Sequence, residues 1–94
     1  LELTFAAPMW LWPGGGWRFV SLPEDATEVL QESGPRRGFG SVRVEVTVGA
    51  TTWKTSVFPD KSRGVYVLPM KKPVRDAEGL VDDAVVALRL RLLD

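Results

Sequence analysis

The stretch FGSVRVEVTVGATTWKTSVFPDKSRGVYVLPMKKPVR, residues 39–75, decides the fold that the sequence predicts. Over Val42–Val48, valines occupy every second position and polar side chains lie between them, a period typical of a half-buried β-strand. Gly49-Ala50 follows and predicts a type II′ hairpin turn, because glycine suits the first central position of that turn. The returning strand covers Thr51–Phe58, and a further strand follows a polar loop at Val65–Pro69. A hairpin and a third strand therefore form the centre of the predicted fold.

The segments on either side of this stretch add three strands and two short helical links. Leu1–Phe5 alternates apolar and polar residues, Trp17–Leu22 is rich in β-forming residues, and Ala84–Leu93 places aliphatic side chains at every second position. A helix of about ten residues is expected after Pro23, and a short helix or turn at Lys71–Leu80. Six strands with two helical links in 94 residues predict a mostly β chain, a single domain spanning residues 1–94 and folded as a small β-barrel.

Two tryptophans, Trp10 and Trp12, precede the turn Pro13–Gly16 and share one face if the chain is extended there. They belong either to the core or a dimer contact, or to an exposed apolar patch at the rim of the barrel. A core or dimer contact is the expectation for at least one of them. The sequence is compatible with a monomer and with a homodimer.

Composition excludes several classes of chemistry. The chain has no cysteine and no histidine, so it has no disulfide, no thiolate metal site and no Ser-His-Asp triad. Gly14–Gly16 is not followed by the Gly-Lys-Ser/Thr of a phosphate-binding loop. A group of four carboxylates lacks the order of a calcium loop, so capping or solvated roles are expected for Asp76, Glu78, Asp82 and Asp83. The sequence therefore predicts no metal and no cofactor. Its longest uncharged run is interrupted by prolines, so no membrane span is expected. The absence of cysteine fits a reducing compartment, and a soluble cytoplasmic protein is the expectation.

Charge is distributed unevenly along a chain whose formal net charge is zero. Nine basic and two acidic residues lie between Arg36 and Arg75, whereas both ends are acidic. The basic middle either meets an anionic partner or neutralises the acidic ends within one fold. The second interpretation is favoured, because the pI of about 6.5 is unlike that of typical nucleic-acid-binding domains. A nucleic-acid-binding domain remains the alternative, with Arg36, Arg37, Arg43 and Lys54 as its contact residues.

The Thr51–Phe58 strand carries the candidate ligand site. Hydroxyl groups are dense on it, and buried hydroxyls need hydrogen-bond partners. Combined with nearby basic residues, these side chains predict a pocket for a small anionic ligand or a contact for a protein partner. The predicted ligand-binding residues are Trp53, Thr55, Ser56, Phe58, Lys71 and Arg75. The simpler interpretation is that threonine and serine suit the solvated face of a strand.

Catalysis is the third interpretation of the same strand. Ser56 or Thr55 could serve as the nucleophile of a hydrolase if Lys54 or Lys71 acted as its base, which requires a desolvated lysine. Nothing in the sequence indicates such an environment. The sequence therefore predicts a small, non-catalytic β-barrel binding module, with no catalytic residue assigned.

Three segments of the central stretch, FGSVRV at residues 39–44, WKTSVFPD at 53–60 and YVLPMK at 66–71, resemble the bacterial domain-of-unknown-function family nineteen-oh-five. The earlier segment WRFVSLP, residues 17–23, is similar to that family as well. The resemblance covers nearly the whole chain and implies a six-stranded double-split β-barrel, found alone or fused to a bacteriocin-protection domain. It implies no established activity, so it bears on the fold and not on the function.

The end of the chain resembles a wider group. The run from Leu68-Pro69 to Gly79-Leu80 is similar to that of swapped-hairpin, AbrB-like DNA-binding regulators and antitoxins, which bind DNA as dimers through basic arms. Those proteins usually continue with a Gly-Asp pair before the last strand. Here Asp82-Asp83 takes its place, which predicts a less tight turn because the positive φ that glycine adopts easily is lost.

Overall fold

A computed structural model describes residues 1–33 and 40–93, and these residues form six strands and two helices. The strands close into a barrel in the order β1-β2-β5-β4-β3-β6, with every neighbouring pair antiparallel. The mostly β, six-stranded barrel with two short helices is therefore confirmed. The elements are β1 Glu2–Leu11, β2 Arg18–Ser21, α1 Glu24–Ser33, β3 Val42–Val48, β4 Thr51–Asp60, β5 Val65–Pro69, α2 Lys72–Glu78 and β6 Val85–Leu92.

The two ten-residue strands, β1 and β4, change partners along their length. β1 pairs with β6 as far as Pro8 and with β2 from Met9 onward. β4 pairs with β3 as far as Val57 and with β5 from Phe58 onward. β1 continues past the Leu1–Phe5 alternation to Leu11, because Pro8 lies where the strand changes partner and a missing N–H is tolerated there.

The pairing pattern repeats once along the chain. Exchanging β1 with β4, β2 with β5 and β3 with β6 leaves the set of strand pairs unchanged, and α1 and α2 occupy equivalent positions. Each half of the chain therefore contributes a strand–strand–helix–strand unit. Each long strand joins one half of the barrel, where β3 and β6 pair, to the other, where β2 and β5 pair.

The barrel interior is filled by the inward faces that the alternating patterns predicted. Every second residue of β3, from Val42 to Val48, is buried, and so are Val86, Leu88 and Leu90 of β6. The helices close the barrel around this core, since Leu30 of α1 is fully buried and Val74 of α2 is 6% exposed. Burial of an aliphatic side chain contributes about 1.5–3 kcal/mol, so these positions dominate the stability of the fold.

The turns before β4 and β6 each place a residue at positive φ. Gly49 in the β3–β4 turn has φ of 56°, as the hairpin prediction requires. Asp83 before β6 adopts φ of 67°, and the turn closes with a 3.1 Å hydrogen bond from the Ala84 N–H to the Val81 carbonyl. This turn therefore closes without glycine, because aspartate is one of the few residues that tolerates the left-handed region. Neither helix in the described part of the chain has the length and apolar character needed to cross a membrane.

Candidate functional site on the outer face of the barrel

The outer surface of the barrel has two chemically different halves. On the half built by β1, β6, β3 and β4, one cross-strand row reads Glu2, Arg91, Glu45, Lys54, so that charge alternates across four neighbouring strands. The Arg91 guanidinium donates two hydrogen bonds, of 3.2 and 2.9 Å, to one Glu45 carboxylate oxygen. This half is the solvated face that an amphipathic sheet normally presents.

The half built by β1, β2, β5 and β4 is apolar on its outer surface. One cross-strand row reads Trp10, Phe19, Pro69, and the next row reads Ser21, Val67, Phe58. Side chains that face outward from a barrel are ordinarily polar, so an apolar surface across four strands, with aromatic residues on three of them, is unusual. We call this surface the aromatic face.

The β1–β2 hairpin extends the aromatic face beyond the ends of these two strands. Trp12 and Trp17 flank the glycine turn, which closes with a 2.8 Å hydrogen bond from the Trp12 N–H to the Trp17 carbonyl. The Trp17 ring stacks on Phe19 with a centroid distance of 6.1 Å and an angle of 12°, and Trp12 meets Phe19 edge-on at 6.0 Å. Trp12 is 43% and Trp17 is 56% exposed, so ring surface remains open to a ligand.

A cleft of about 530 Å³ lies on this face. Its walls are Trp12, Trp17, Phe19, Phe58, Pro59, Asp60, Lys61, Val67 and Pro69. Sites for small ligands are typically lined by aromatic and apolar side chains, with a few polar groups that fix the orientation of the ligand. The lining of this cleft has that composition. We call it the aromatic cleft.

The loop after β4 organises the charged edge of this cleft. Asp60 accepts hydrogen bonds from the Ser62 hydroxyl at 2.7 Å, from the backbone N–H groups of Ser62 and Arg63, and from the Arg63 guanidinium at 3.0 Å. These contacts, above all the one from the Ser62 hydroxyl, hold the pKa of Asp60 below the ordinary aspartate value, although burial opposes the shift. The same Arg63 guanidinium lies 3.7 Å from the centre of the Trp10 ring. The loop therefore pairs the Asp60 carboxylate with the Arg63 guanidinium.

Trp10 itself belongs to the scaffold rather than to the open surface. Arg63 covers its ring, and its indole N–H donates a 2.9 Å hydrogen bond to the Ser21 hydroxyl. Of the two tryptophans that precede the turn, Trp10 is therefore packed within the chain and Trp12 lines an exposed patch at the rim. Trp10 is half-buried against the outer side of its own sheet and is not part of the core cluster. The expected dimer contact stays a prediction.

A second depression, of about 230 Å³, adjoins the cleft, and Trp17 forms part of the wall of both. Arg18, Lys71, Lys72 and Arg75 surround it. Arg18 is paired with Asp82 at 3.1 Å and Lys72 with Asp76 at 2.7 Å. Among the residues that the structure describes, Lys71 and Arg75 have no acidic partner, and Arg75 donates a hydrogen bond to the Met70 carbonyl. We call this the basic depression.

The six ligand-binding residues predicted from sequence occupy three places. Phe58 lines the aromatic cleft, and Lys71 and Arg75 line the basic depression. Trp53 and Thr55 point into the barrel, where Thr55 is 8% exposed and the Trp53 indole N–H is buried without a hydrogen-bond partner in the described structure. Ser56 lies on the outer face, paired across the strands with Arg43. The strand alternation separates these groups, because successive side chains leave opposite faces.

The alternative sites are dispersed as well. Lys54 lies opposite Glu45 in the charged row, and Arg43 lies one row away; Arg36 and Arg37 are outside the described residues. Lys54 and Ser56, the proposed base and nucleophile, are two residues apart on one strand, or about 7 Å. Lys54 and Lys71 are both exposed, whereas a lysine base needs desolvation. In the described parts of the chain, no three acidic side chains come together in a group that could hold a metal ion.

Sequence reasoning did not identify Trp12, Trp17 and Phe19 as a site. The available signal was WLWPGGGWRF, residues 10–19, in which aromatic residues recur at every second position on both sides of a turn. Such a pattern predicts one aromatic face shared by two strands of a hairpin. It cannot show that β5 and β4 extend that face, because their pairing is not local in sequence.

The chain was also compared with known proteins. Residues 5–90 match the model of a family described as Domain of unknown function (DUF1905). A search of curated proteins finds no match.

Proposed function

The chain belongs to the DUF1905 family, and from that premise and the surface of the barrel we propose that it is a non-catalytic binding module. Its ligand would carry a planar ring and a negative charge. The ring would rest in the aromatic cleft, and the charge would lie against Lys71 and Arg75. A double-split description of the barrel and a bacterial, cytoplasmic setting are parts of the same proposal.

The observation that carries the proposal is the position of Trp17, which is a wall of both the aromatic cleft and the basic depression. A ligand that stacks on this ring can direct a charged substituent toward Lys71 and Arg75, which line the same depression and have no acidic partner in the described structure. The ligand's ring and its charge would then be bound at one place. The ring contributes affinity because aromatic side chains supply large contact area at little entropic cost.

Asp60 does not oppose an anionic ligand as strongly as its charge alone suggests. Its carboxylate accepts from Ser62 and pairs with Arg63, so its charge is offset where the cleft begins. Lys61 lines the same edge of the cleft and has no acidic partner within the described residues. The edge is therefore suited to a ligand with negative charge.

Nuclear magnetic resonance can test this with the four indole N–H signals of Trp10, Trp12, Trp17 and Trp53 as reporters. We expect naphthalene-2-sulfonate to shift the signals of Trp12 and Trp17 and to leave that of Trp53, inside the barrel, in place. Naphthalene-2-methanol has the ring without the charge, and methanesulfonate has the charge without the ring, so both should bind more weakly. Equal shifts at Trp53, or no shift at millimolar ligand, would reject the proposal.

A further inference from the structure

The aromatic cleft is the middle of a longer groove. At one end it shares Trp17 with the basic depression. At the other end it shares Pro59, Asp60 and Lys61 with a third depression of about 190 Å³ beside Tyr66. The three depressions therefore border one another at these residues, and we refer to them together as the groove.

Cations without acidic partners stand at both ends of this groove. In the described structure, carboxylates pair with Arg18, Arg63 and Lys72, whereas none pairs with Lys61, Lys71 or Arg75. Lys61 lies at one end, Lys71 and Arg75 lie at the other, and exposed rings lie between them. A ligand with one negative group would use only one end.

The ring surfaces between these cations suit unpaired bases. Trp17 stacks on Phe19 and Trp12 meets Phe19 edge-on, and both tryptophan rings remain exposed. Bases stack on aromatic side chains with little dependence on sequence, and a basic groove follows the phosphates in proteins that bind single strands. A base-paired duplex cannot offer the faces of its bases in this way.

From this arrangement, and resting on the proposed function, we propose that the ligand is single-stranded nucleic acid, with bases stacked on Trp17 and Trp12 and phosphates at Lys61 and Lys71. This site lies on a different half of the barrel from Arg43 and Lys54, which the sequence suggested for nucleic acid. OB-folds that bind single strands cover about 4–16 nucleotides each, which sets the length of oligomer to test.

Fluorescence anisotropy with a labelled oligomer of about eight deoxythymidines tests the proposal on the intact chain. We expect binding at low salt that weakens as salt rises, with little binding of the matched duplex. Trp17→Ala should weaken binding by about 5- to 150-fold, the range for losing one stacked base. Circular dichroism and urea unfolding would check that each variant folds.

Two double variants separate this groove from general charge attraction. Lys61→Gln with Lys71→Gln removes one cation from each end and should lower the slope of log affinity against log salt by about 1.4. Arg43→Gln with Lys54→Gln removes the same charge from residues outside the groove and should weaken binding clearly less than the first double variant. Arg75 is left unchanged because it also donates to the Met70 carbonyl.

The outcomes distinguish this inference from the proposed function. Binding of naphthalene-2-sulfonate without binding of the oligomer overturns the inference and leaves the proposed function standing. Equal losses in the two double variants, equal binding of the duplex, or equal binding of polyglutamate would each show that only net charge is being measured, and would also overturn it.

Discussion

The side-chain hydroxyl of Thr27 in α1 accepts a 3.1 Å hydrogen bond from the backbone N–H of Tyr66 in β5, 39 positions away. Both residues are buried, at 4% and 2% exposure. The Tyr66 carbonyl accepts a 2.9 Å hydrogen bond from the Leu22 N–H, just after β2 has ended. The helix therefore satisfies a backbone donor at the end of the β5 pairing, where no strand reaches it.

Replacing Thr27 with valine should destabilise the protein by about 1–3 kcal/mol, because the shape is kept while a buried N–H loses its acceptor. Thr27→Ser is the matched control, since it retains the hydroxyl and should cost less. Urea unfolding followed by circular dichroism measures both. Equal stability of Thr27→Val and the parent protein would show that the hydrogen bond contributes nothing.

The turn between β3 and β4 is tied to the end of α2. Thr51 donates a 2.6 Å hydrogen bond to one Glu78 carboxylate oxygen, and the other oxygen occupies the place that a Cβ on Gly49 would take. Gly49→Ala therefore has two effects, strain from φ of 56° and displacement of Glu78 from Thr51. Gly64, with φ of 73° and nothing near its missing Cβ, provides a site where only strain acts.

We expect Gly64→Ala to cost about 1–2 kcal/mol, the penalty of a side chain in the left-handed region. Gly49→Ala should cost more, by at most about 1.5–3 kcal/mol, the contribution of a hydrogen bond to a charged group. In a Glu78→Ala background the difference between the two glycine variants should disappear, and thermal or urea unfolding would show it. A difference that survives in that background contradicts the assigned role of Glu78.

Asp60 should make stability depend on pH in the acid range. Its pKa is lower in the folded chain than in the unfolded chain, so unfolding takes up a proton and stability falls as pH falls. Its contribution is complete above the ordinary aspartate pKa of about 3.9 and is lost as pH drops through the folded value. Asp60→Asn lacks this titration, so the stability difference between parent and variant should shrink below about pH 4. A constant difference down to pH 2 would count against it.

The alternating charged row predicts a graded response at Glu45. Glu45→Gln should cost less than about 1 kcal/mol, as for other exposed ion pairs. Glu45→Lys should cost more, because it places a cation directly between Arg91 and Lys54. Added salt should reduce the extra cost. Glu32→Lys, on the exposed surface of α1, makes the same charge change away from the row and is the control.

Several features of the fold were predictable because their physical causes are local. The alternation of β3 and β6 follows directly from side-chain direction along a strand. Helix α1 begins after a proline with acidic residues in its first turn, and α2 ends at Gly79 with φ of 62°. The resemblance to the domain-of-unknown-function family was confirmed by the match over residues 5–90, whereas the similarity to AbrB-like regulators stays a prediction.

The candidate site was much less predictable. Phe58, Lys71 and Arg75 were identified from the density of unusual side chains, and they do lie along the groove. Their neighbours Trp12, Trp17 and Phe19 come from the first hairpin, about forty to sixty residues earlier in the chain. Trp53 and Thr55 were grouped with Phe58 because they share its strand, but they lie on its inner face.

The sequence by itself therefore determined which faces of β3 and β6 are buried, where the turns fall and which chemistry the chain lacks. These follow from interactions between residues a few positions apart. Only the tertiary structure decided that β1 and β4 change partners midway, and that β2 and β5 bring two hairpins into one outer face. Partner choice depends on closing the barrel as a whole, since an open strand edge leaves backbone groups unpaired. The aromatic cleft and the basic depression meet at Trp17 for that reason.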